Sequence, residues 1–129
     1  MDAAQALADL TEISSQIEAA VLFDAQGEVA ASTLADGPAR ALARAAADLL
    51  EGAAAFRSDS VEVTQLEVST RDGSVFVVSA EPHRIAATTG PDPTVGLVFY
   101  DLKSCLRGAA AEPEKPKRRR RVKEPDGEA

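Results

Sequence analysis

The stretch of residues 61–80 constrains the fold more than any other part of the sequence, because two β-prone runs flank the dipeptide Asp72-Gly73. A two-residue type I′ turn needs positive φ at both central positions, so Asp-Gly between such runs predicts a β-hairpin. The second arm is apolar at every position from 75 to 78, which is typical of a central strand covered on both faces. The first arm, residues 63–70, alternates between apolar and polar side chains and is therefore predicted to be an edge strand. The open backbone groups of such a strand favour pairing with a second copy of the chain.

Helical and extended patterns alternate along the rest of the chain. Apolar residues at helical spacing predict three helices, over residues 3–14, 36–55 and 93–108. Extended apolar runs predict three further strands, over residues 17–23, 28–33 and 84–89. Together with the two arms of the hairpin, these segments predict an α+β protein with the element order α-β-β-α-β-β-β-α.

Each predicted helix begins near an aspartate that can cap its free N–H groups. These predicted caps are Asp2, Asp36 and Asp92. Pro93 is predicted to be the first residue of the last helix, since proline has no N–H to lose there. In the turn between the first two strands, Gly27 suits a left-handed backbone conformation.

The middle helix carries three sets of side chains. Its predicted buried stripe consists of Leu42, Ala46, Leu49 and Ala53. A polar face carries Arg40, Arg44, Asp48 and Glu51. Small side chains lie between them, at Ala39, Ala43, Ala47 and Ala54. Because small side chains let a second backbone approach, this helix could pack against both its own sheet and a neighbouring helix. Alternatively, the alanines reflect only the high helix propensity of this residue type.

Composition supports one folded domain. The chain has 129 residues, of which 45% are hydrophobic, and tryptophan is absent. The core must therefore consist mainly of Ala, Val and Leu, and burial on dimerisation would add to its stability. The sequence begins without a basic region, and no apolar run approaches the roughly 20 residues that span a bilayer, so we expect a cytoplasmic protein.

Charge is distributed unevenly along the chain. Residues 1–111 hold 7 basic and 16 acidic side chains, a balance of −9, and are predicted to form the domain. Residues 112–129 are rich in proline and charge and predict a disordered tail. The predicted anion-binding residues of this tail are Lys115, Lys117, Arg118, Arg119, Arg120, Arg121 and Lys123.

Three external partners and one internal partner are compatible with this tail. It is expected to contact an anionic membrane, a nucleic acid or an acidic protein surface, or to lie against its own acidic domain. No aromatic residues are interleaved with its basic residues to stack on bases, which disfavours sequence-specific nucleic-acid recognition.

The sequence offers little for catalysis or metal binding. A Ser-His-Asp arrangement would have to use the only histidine, His83, for which a turn residue is the simpler interpretation. The only cysteine, Cys105, falls beside the apolar stripe of the last helix, where it is more simply a small hydrophobic residue than a nucleophile. With one His, one Cys and no clustered carboxylates at ligand spacing, we expect no metal site. The sequence also lacks a Gly-x-x-x-x-Gly-Lys-Ser/Thr loop to hold a nucleotide, and we expect no cofactor and no enzymatic activity.

The order of these segments and the residues that mark them resemble the Roadblock/dynein light chain family. The resemblance covers residues 3–110. It rests on Ala20-Val21-Leu22-Phe23-Asp24-Ala25-Gln26-Gly27, on the long middle helix, on Gln65-Leu66-Glu67-Val68-Ser69-Thr70-Arg71-Asp72-Gly73, and on Val95-Gly96-Leu97-Val98. It implies a profilin-like Roadblock fold with three layers, α/β/α, around a five-stranded antiparallel sheet. The middle helix would cover one face of the sheet and the two terminal helices the other.

The resemblance also implies a function. Members of this family are non-catalytic dimers that bind and regulate or scaffold small Ras-like GTPases, or serve as light chains of a motor complex. The expected surface for a GTPase is the polar face of the middle helix, with Arg40, Arg44, Asp48, Glu51 and Arg57. An arginine finger from Arg40 or Arg44 is a further possibility. Alternatively, this face is only solvated and holds an Arg44–Asp48 ion pair. The basic tail is not part of the family's pattern.

The implied dimer joins the strand of residues 63–70 to its copy and places the two middle helices side by side. The predicted dimer contacts are Val63, Gln65, Leu66, Val68, Thr70, Ala39, Ala43 and Ala47. A ligand-sensing or adaptor domain of similar layered shape, with its tail on an anionic surface, is the alternative. That alternative would need an apolar pocket between sheet and helices.

Overall fold

The computed structural model describes residues 2–56 and 62–110. Its helices are α1 (Ala3–Ile13), α2 (Asp36–Ala54) and α3 (Val95–Ala110). Its strands are β1 (Ile17–Asp24), β2 (Val29–Ser32), β3 (Gln65–Thr70), β4 (Gly73–Ala80) and β5 (His83–Thr89). The predicted order α-β-β-α-β-β-β-α is confirmed. None of these helices is long and apolar enough to cross a membrane.

All five strands belong to one antiparallel sheet with the order β2-β1-β5-β4-β3. The central strand, β5, joins the β1–β2 hairpin to the β3–β4 hairpin. The interior strands β1 and β4 are buried over several consecutive residues, as expected for strands with helices on both sides. β2 and β3 form the two edges, so the prediction that the first arm of the hairpin is an edge strand is confirmed.

Helices cover both faces of this sheet, which confirms the three-layer architecture. On one face, Leu10 of α1 and Leu102 of α3 pack with Phe76 and Ile85 of the sheet. The rings of Phe76 and Phe99 meet edge to face, with centroids 5.0 Å apart. On the other face, α2 packs on a second cluster, whose sheet residues are Val21, Phe23, Val77 and Ala86.

The face that α2 buries differs from the prediction. The predicted stripe was Leu42, Ala46, Leu49 and Ala53, whereas the buried residues are Ala39, Ala43, Ala46 and Leu50. At about 100° per residue, the buried face is turned by about 60° around the helix axis. The small alanine side chains let the helix approach the sheet closely, because Val21 and Phe23 already fill the space above β1. The larger Leu42 packs at the side of this contact, half-buried.

The turn of the β3–β4 hairpin lies one residue earlier than predicted. Thr70 pairs with Gly73, so the two connecting residues are Arg71 and Asp72. Neither residue has positive φ, and the predicted type I′ turn is therefore wrong. Gly73 instead begins β4 with φ +153°, and its carbonyl oxygen accepts a hydrogen bond of 2.7 Å from the Thr70 hydroxyl.

The first two predicted helix caps have different outcomes. The Asp2 carboxylate accepts a hydrogen bond of 2.8 Å from the Gln5 N–H, which confirms the cap of α1. Asp36 is wrong as a cap, because it is the first residue of α2 and follows Ala35, whose side chain has no acceptor. Gly27 has φ +86°, which confirms the left-handed position between β1 and β2.

The start of α3 also differs from the prediction. The helix begins at Val95 rather than at Pro93. Asp92 does not cap it, and has a left-handed backbone with φ +59°. The side-chain oxygen of Gln16, which is 78 residues away in the sequence, instead accepts a hydrogen bond of 2.6 Å from the Thr94 N–H. A tertiary contact therefore sets this helix terminus.

Candidate protein-interaction surface

The backbone of β3 is open along one side. β3 pairs with β4, and no other strand of the described residues lies next to it. The Thr64 carbonyl accepts a hydrogen bond of 2.8 Å from the Ser79 N–H, so Thr64 faces β4. Because the direction alternates along an antiparallel strand, the N–H and C=O groups of Gln65, Glu67 and Ser69 are directed to the open side. Six residues of regular strand therefore offer a template for a further strand.

The side chains of β3 and of the residues before it differ between the two faces of the sheet. Val63 and Leu66 are half-buried and pack against the cluster beneath α2, while Val68 on the same face is 36% exposed. On the opposite face, the Glu67 carboxylate accepts hydrogen bonds of 2.7 Å from Ser69 and 3.2 Å from Ser74. The face on the α2 side is thus the apolar one.

The two remaining predicted strand contacts, Gln65 and Thr70, are both exposed. Of the five predicted contacts on this segment, the side chains of Gln65, Val68 and Thr70 are therefore accessible to a second molecule as the chain stands.

Helix α2 leaves part of this apolar face uncovered. It lies mainly over β1, β2 and β5, which form the far half of the sheet. Val75 of β4 and Leu66 of β3 pack at the margin of the cluster beneath α2 and remain half-buried. Beside them lies Val68, so a strip of apolar sheet surface runs along the open edge.

The two flanks of α2 have different chemistry. Leu42, Ala45 and Leu49 lie on one flank, because they are three, four and seven positions apart. Arg40, Arg44 and Glu51 lie on the other flank, because they are four, seven and eleven positions apart. Leu42 and Leu49 are half-buried, whereas the three charged residues and Asp48 are exposed. We call these the apolar flank and the charged flank.

The small residues predicted to contact a second helix are mostly not accessible. Ala39 and Ala43 are 2% and 1% exposed, because their side chains pack on the sheet of their own chain, and their role in a dimer stays a prediction. Ala47 is half-buried and lies beside Glu51, towards the charged flank. If α2 meets a copy of itself, the surface it offers is the apolar flank.

The predicted partner-binding residues on α2 are solvent-exposed and unpaired with one another. The expected Arg44–Asp48 ion pair does not form. Among residues 2–56 and 62–110, the structure shows one ion pair, between Arg84 and Glu81, with a nitrogen–oxygen distance of 3.3 Å. Arg57 and the seven basic residues of the tail lie outside the described residues.

The candidates for chemistry lie apart from this surface. His83 is the half-buried first residue of β5. Cys105 is buried in α3, where its thiol donates to the Ala6 carbonyl oxygen at 3.5 Å. Burial, and secondly the charge of Asp9, raise the pKa of this thiol to about 11, which leaves it protonated at neutral pH. The part of the chain that the structure describes contains no group of three or more His, Cys, Asp or Glu residues that could hold a metal ion.

Sequence reasoning missed the apolar flank and the uncovered strip. The sequence pattern predicts Leu42 and Leu49 in the core, because a period of 3.6 residues identifies an apolar side of a helix but not the centre of that side. The available signal was the pair of adjacent apolar sets, one of leucines and one of alanines, which is wider than one contact with a sheet requires.

The family model of the Roadblock/LC7 domain matches residues 4–89 of this chain. The match runs from α1 to the end of β5 and so includes both hairpins and α2. The chain therefore belongs to the Roadblock/LC7 domain family. A search of the curated proteins finds no match.

Solved structures show the same fold at low sequence identity. A Roadblock/LC7 domain from Streptomyces avermitilis has a TM-score of 0.76 and 18% identity, over 85% of this chain and 96% of that one. The gliding protein MglB from Thermus thermophilus has a TM-score of 0.68 and 18% identity, over 84% and 85%. Profilin II from Acanthamoeba castellanii has a TM-score of 0.52 and 13% identity, over 74% and 86%. The fold is thus profilin-like, as predicted.

Proposed function

We propose that this chain is a non-catalytic, cytoplasmic homodimer that binds a small Ras-like GTPase and regulates or scaffolds it. Membership of the Roadblock/LC7 family supports this class of function. The observation that carries the proposal is the division of α2 into an apolar and a charged flank, because one helix can then serve two different contacts.

The dimer forms through β3 and the apolar flank. Pairing of β3 with its copy satisfies the open N–H and C=O groups and continues the sheet into the second subunit. It also brings together the two uncovered strips around Val68 and Val75. Leu42 packs at the margin of the same apolar cluster as Leu66 and Val75, so contact between the apolar flanks would remove further apolar surface from water.

The GTPase binds the charged flank. Arg40 and Arg44 are exposed, form no ion pair with another residue that the structure describes, and lie on the flank away from Leu42 and Leu49, so the proposed dimer leaves them accessible. They provide positive charge for an acidic switch region, and Asp48 and Glu51 add the opposite sign beside them. Neighbouring charges of opposite sign set the orientation and the rate of association more than the affinity.

The alternative of a ligand sensor has less support. The residues between the sheet and the helices form two continuous apolar clusters. The cavities of about 310 to 480 Å³ instead include exposed side chains in their linings, such as Ile13, Glu28 and Glu51. These are surface grooves rather than a ligand pocket within the core.

A charge reversal on α2 tests the GTPase proposal. The double variant R40E/R44E should weaken binding to the cognate Ras-like GTPase by about ten-fold or more, or about 1.4 kcal/mol, measured by calorimetry with the GDP-bound and the GTP-analogue-bound forms. The dimer mass should not change.

The matched control is K103E/R107E, which reverses two exposed cations at the same spacing on α3, across the sheet. This control should bind like the unmodified protein. Equal affinity of R40E/R44E and the control would show that the charged flank is not the GTPase surface.

A further inference from the structure

A groove lies between the helices α1 and α3, on the face of the sheet opposite to α2. Its volume is about 310 Å³. Ile13 and Tyr100 lie at one end of the groove, and Gly108 lies near the C-terminal end of α3. Asp9 of α1 and Asp101 of α3 line the same groove. Neither the proposed dimer nor the proposed GTPase contact uses this surface.

Asp101 is the unusual residue of this groove. It is only 7% exposed, and within the described residues no hydrogen bond or ion pair involves its carboxylate. The carboxylate oxygens are not among the fully buried side-chain atoms that lack a partner, and Asp101 lines the groove, so its negative charge is accessible to a cation that enters the groove. Asp9 is half-buried and accepts a hydrogen bond of 2.9 Å from the Gln5 amide, so it adds negative charge next to the same space.

The open end of the groove is apolar and aromatic. Ile13 is 73% exposed and Tyr100 is 63% exposed. A guanidinium group can stack on a tyrosine ring and pair with a carboxylate at the same time, because its plane offers a face to the ring and N–H donors at its edge. The combination of Tyr100 with Asp101 therefore suits arginine in particular.

We propose that the basic segment of the same chain, residues 115–123, occupies this groove, with arginine side chains paired to Asp101 and stacked on Tyr100. The segment contains seven basic residues and no acid, while residues 1–111 carry a balance of −9.

The segment is long enough to reach this site. α3 ends at Ala110, and Asp101 lies about 14 Å back along the helix at about 1.5 Å per residue. Five residues from Ala110 to Lys115 can span up to about 17 Å. Because the segment is tethered to the domain, its effective concentration at the groove is in the millimolar range. It therefore binds there in preference to a separate basic molecule at lower concentration.

The full chain contains its own probe for this contact. Tyr100 is the only tyrosine and the chain has no tryptophan, so tyrosine fluorescence reports on the groove alone. Stacking covers one of the two ring faces, so neutralising the tail with R118Q/R119Q/R120Q/R121Q should raise the acrylamide quenching constant of Tyr100 roughly two-fold. The same rise is expected for the unmodified chain at about 0.5 M salt, where the screening length is about 4 Å.

Two further variants separate docking in the groove from general attraction to an acidic domain. D101N should raise the quenching constant as the tail variant does, and the combined variant should show no additional rise. E28Q removes an exposed acid of the β1–β2 turn and should leave the quenching constant unchanged. The tail substitutions test the contact without any change to residues 2–110, so a folding defect of D101N would not prevent the test.

Three results would overturn the proposal. The first is equal quenching of the unmodified and tail-neutralised chains at low salt. The second is an equal effect of E28Q and D101N. The third is a quenching constant that changes on dilution of the protein, because a segment that docks on its own chain is insensitive to concentration.

Discussion

Gly73 lies where β4 begins, with its Cα against the neighbouring strand β5. A Cβ at this position would overlap the carbonyl oxygen of Thr89, and φ is +153°. Gly73→Ala should therefore lower the free energy of unfolding by about 2–4 kcal/mol, because the strands must separate locally to admit a methyl group. Urea denaturation followed by circular dichroism measures this loss.

The control for this substitution is Gly96→Ala. Gly96 is an exposed residue of α3, and a Cβ there would meet nothing within 4 Å. Alanine is favoured over glycine in a helix, so this variant should be stabilised by about 0.5–1 kcal/mol. A Gly73→Ala protein as stable as the control would contradict the close approach of β4 and β5.

Cys105 should make stability depend on pH under alkaline conditions. Its thiol has a pKa of about 11 in the folded chain, against 9.0 for the ordinary group, so the folded state binds this proton more tightly than the unfolded state. The contribution is complete below pH 9 and is lost as pH rises from 9 to 11.

Denaturation at a series of pH values, compared with Cys105→Ala, isolates this contribution. Relative to the variant, the unmodified chain should lose about 1 kcal/mol for each pH unit between 9 and 11. Parallel curves for the two proteins would show that the thiol titrates normally in the folded state.

Among the elements, α2 shows where a sequence pattern stops being informative. Alanine satisfies a core, a solvent-exposed face and a helix contact equally well, so Ala39 and Ala43 carried no signal for their inward position. The orientation of the helix depends on its tertiary contact with the sheet, where Ala39, Ala43, Ala46 and Leu50 pack on the cluster and Leu42 lies at its margin. The existence and length of α2 were predictable, and its rotation was not.

β3 allows the proposed dimer to be tested through a single backbone N–H. The N–H of Ser69 is directed to the open side, so Ser69→Pro removes a donor for a second strand and leaves the backbone hydrogen bonds to β4 in place. We expect the unmodified chain to have twice its chain mass of 13.4 kDa in sedimentation, and the dissociation constant of Ser69→Pro to rise by about ten-fold or more.

Ser69→Thr is the matched control for this prediction, because it retains the N–H and suits a strand. It should remain dimeric. A folded Ser69→Pro protein with the unmodified dissociation constant would exclude pairing through β3.

For the whole molecule, the elements and their order could be predicted from periodicity and from the hairpin. The family resemblance supplied the layers and the profilin-like fold. What could not be predicted depended on residues distant in sequence. The side chain of Gln16, 78 residues away in the sequence, binds the Thr94 N–H at the start of α3, and the register of β3 on β4 places the turn at Arg71 and Asp72. A local pattern such as Asp92 before Pro93 cannot report either contact.

The two margins of the sheet are unequal, and this limits how far the molecule can assemble. β2 has four residues and lies between α1 and α2, whereas β3 has six and is open. A further strand can therefore be added to the sheet at β3 but not at β2. In the proposed dimer both β3 strands are paired and the joined sheet ends in β2 on each side, so we expect association to stop at a pair and not to continue into a fibre.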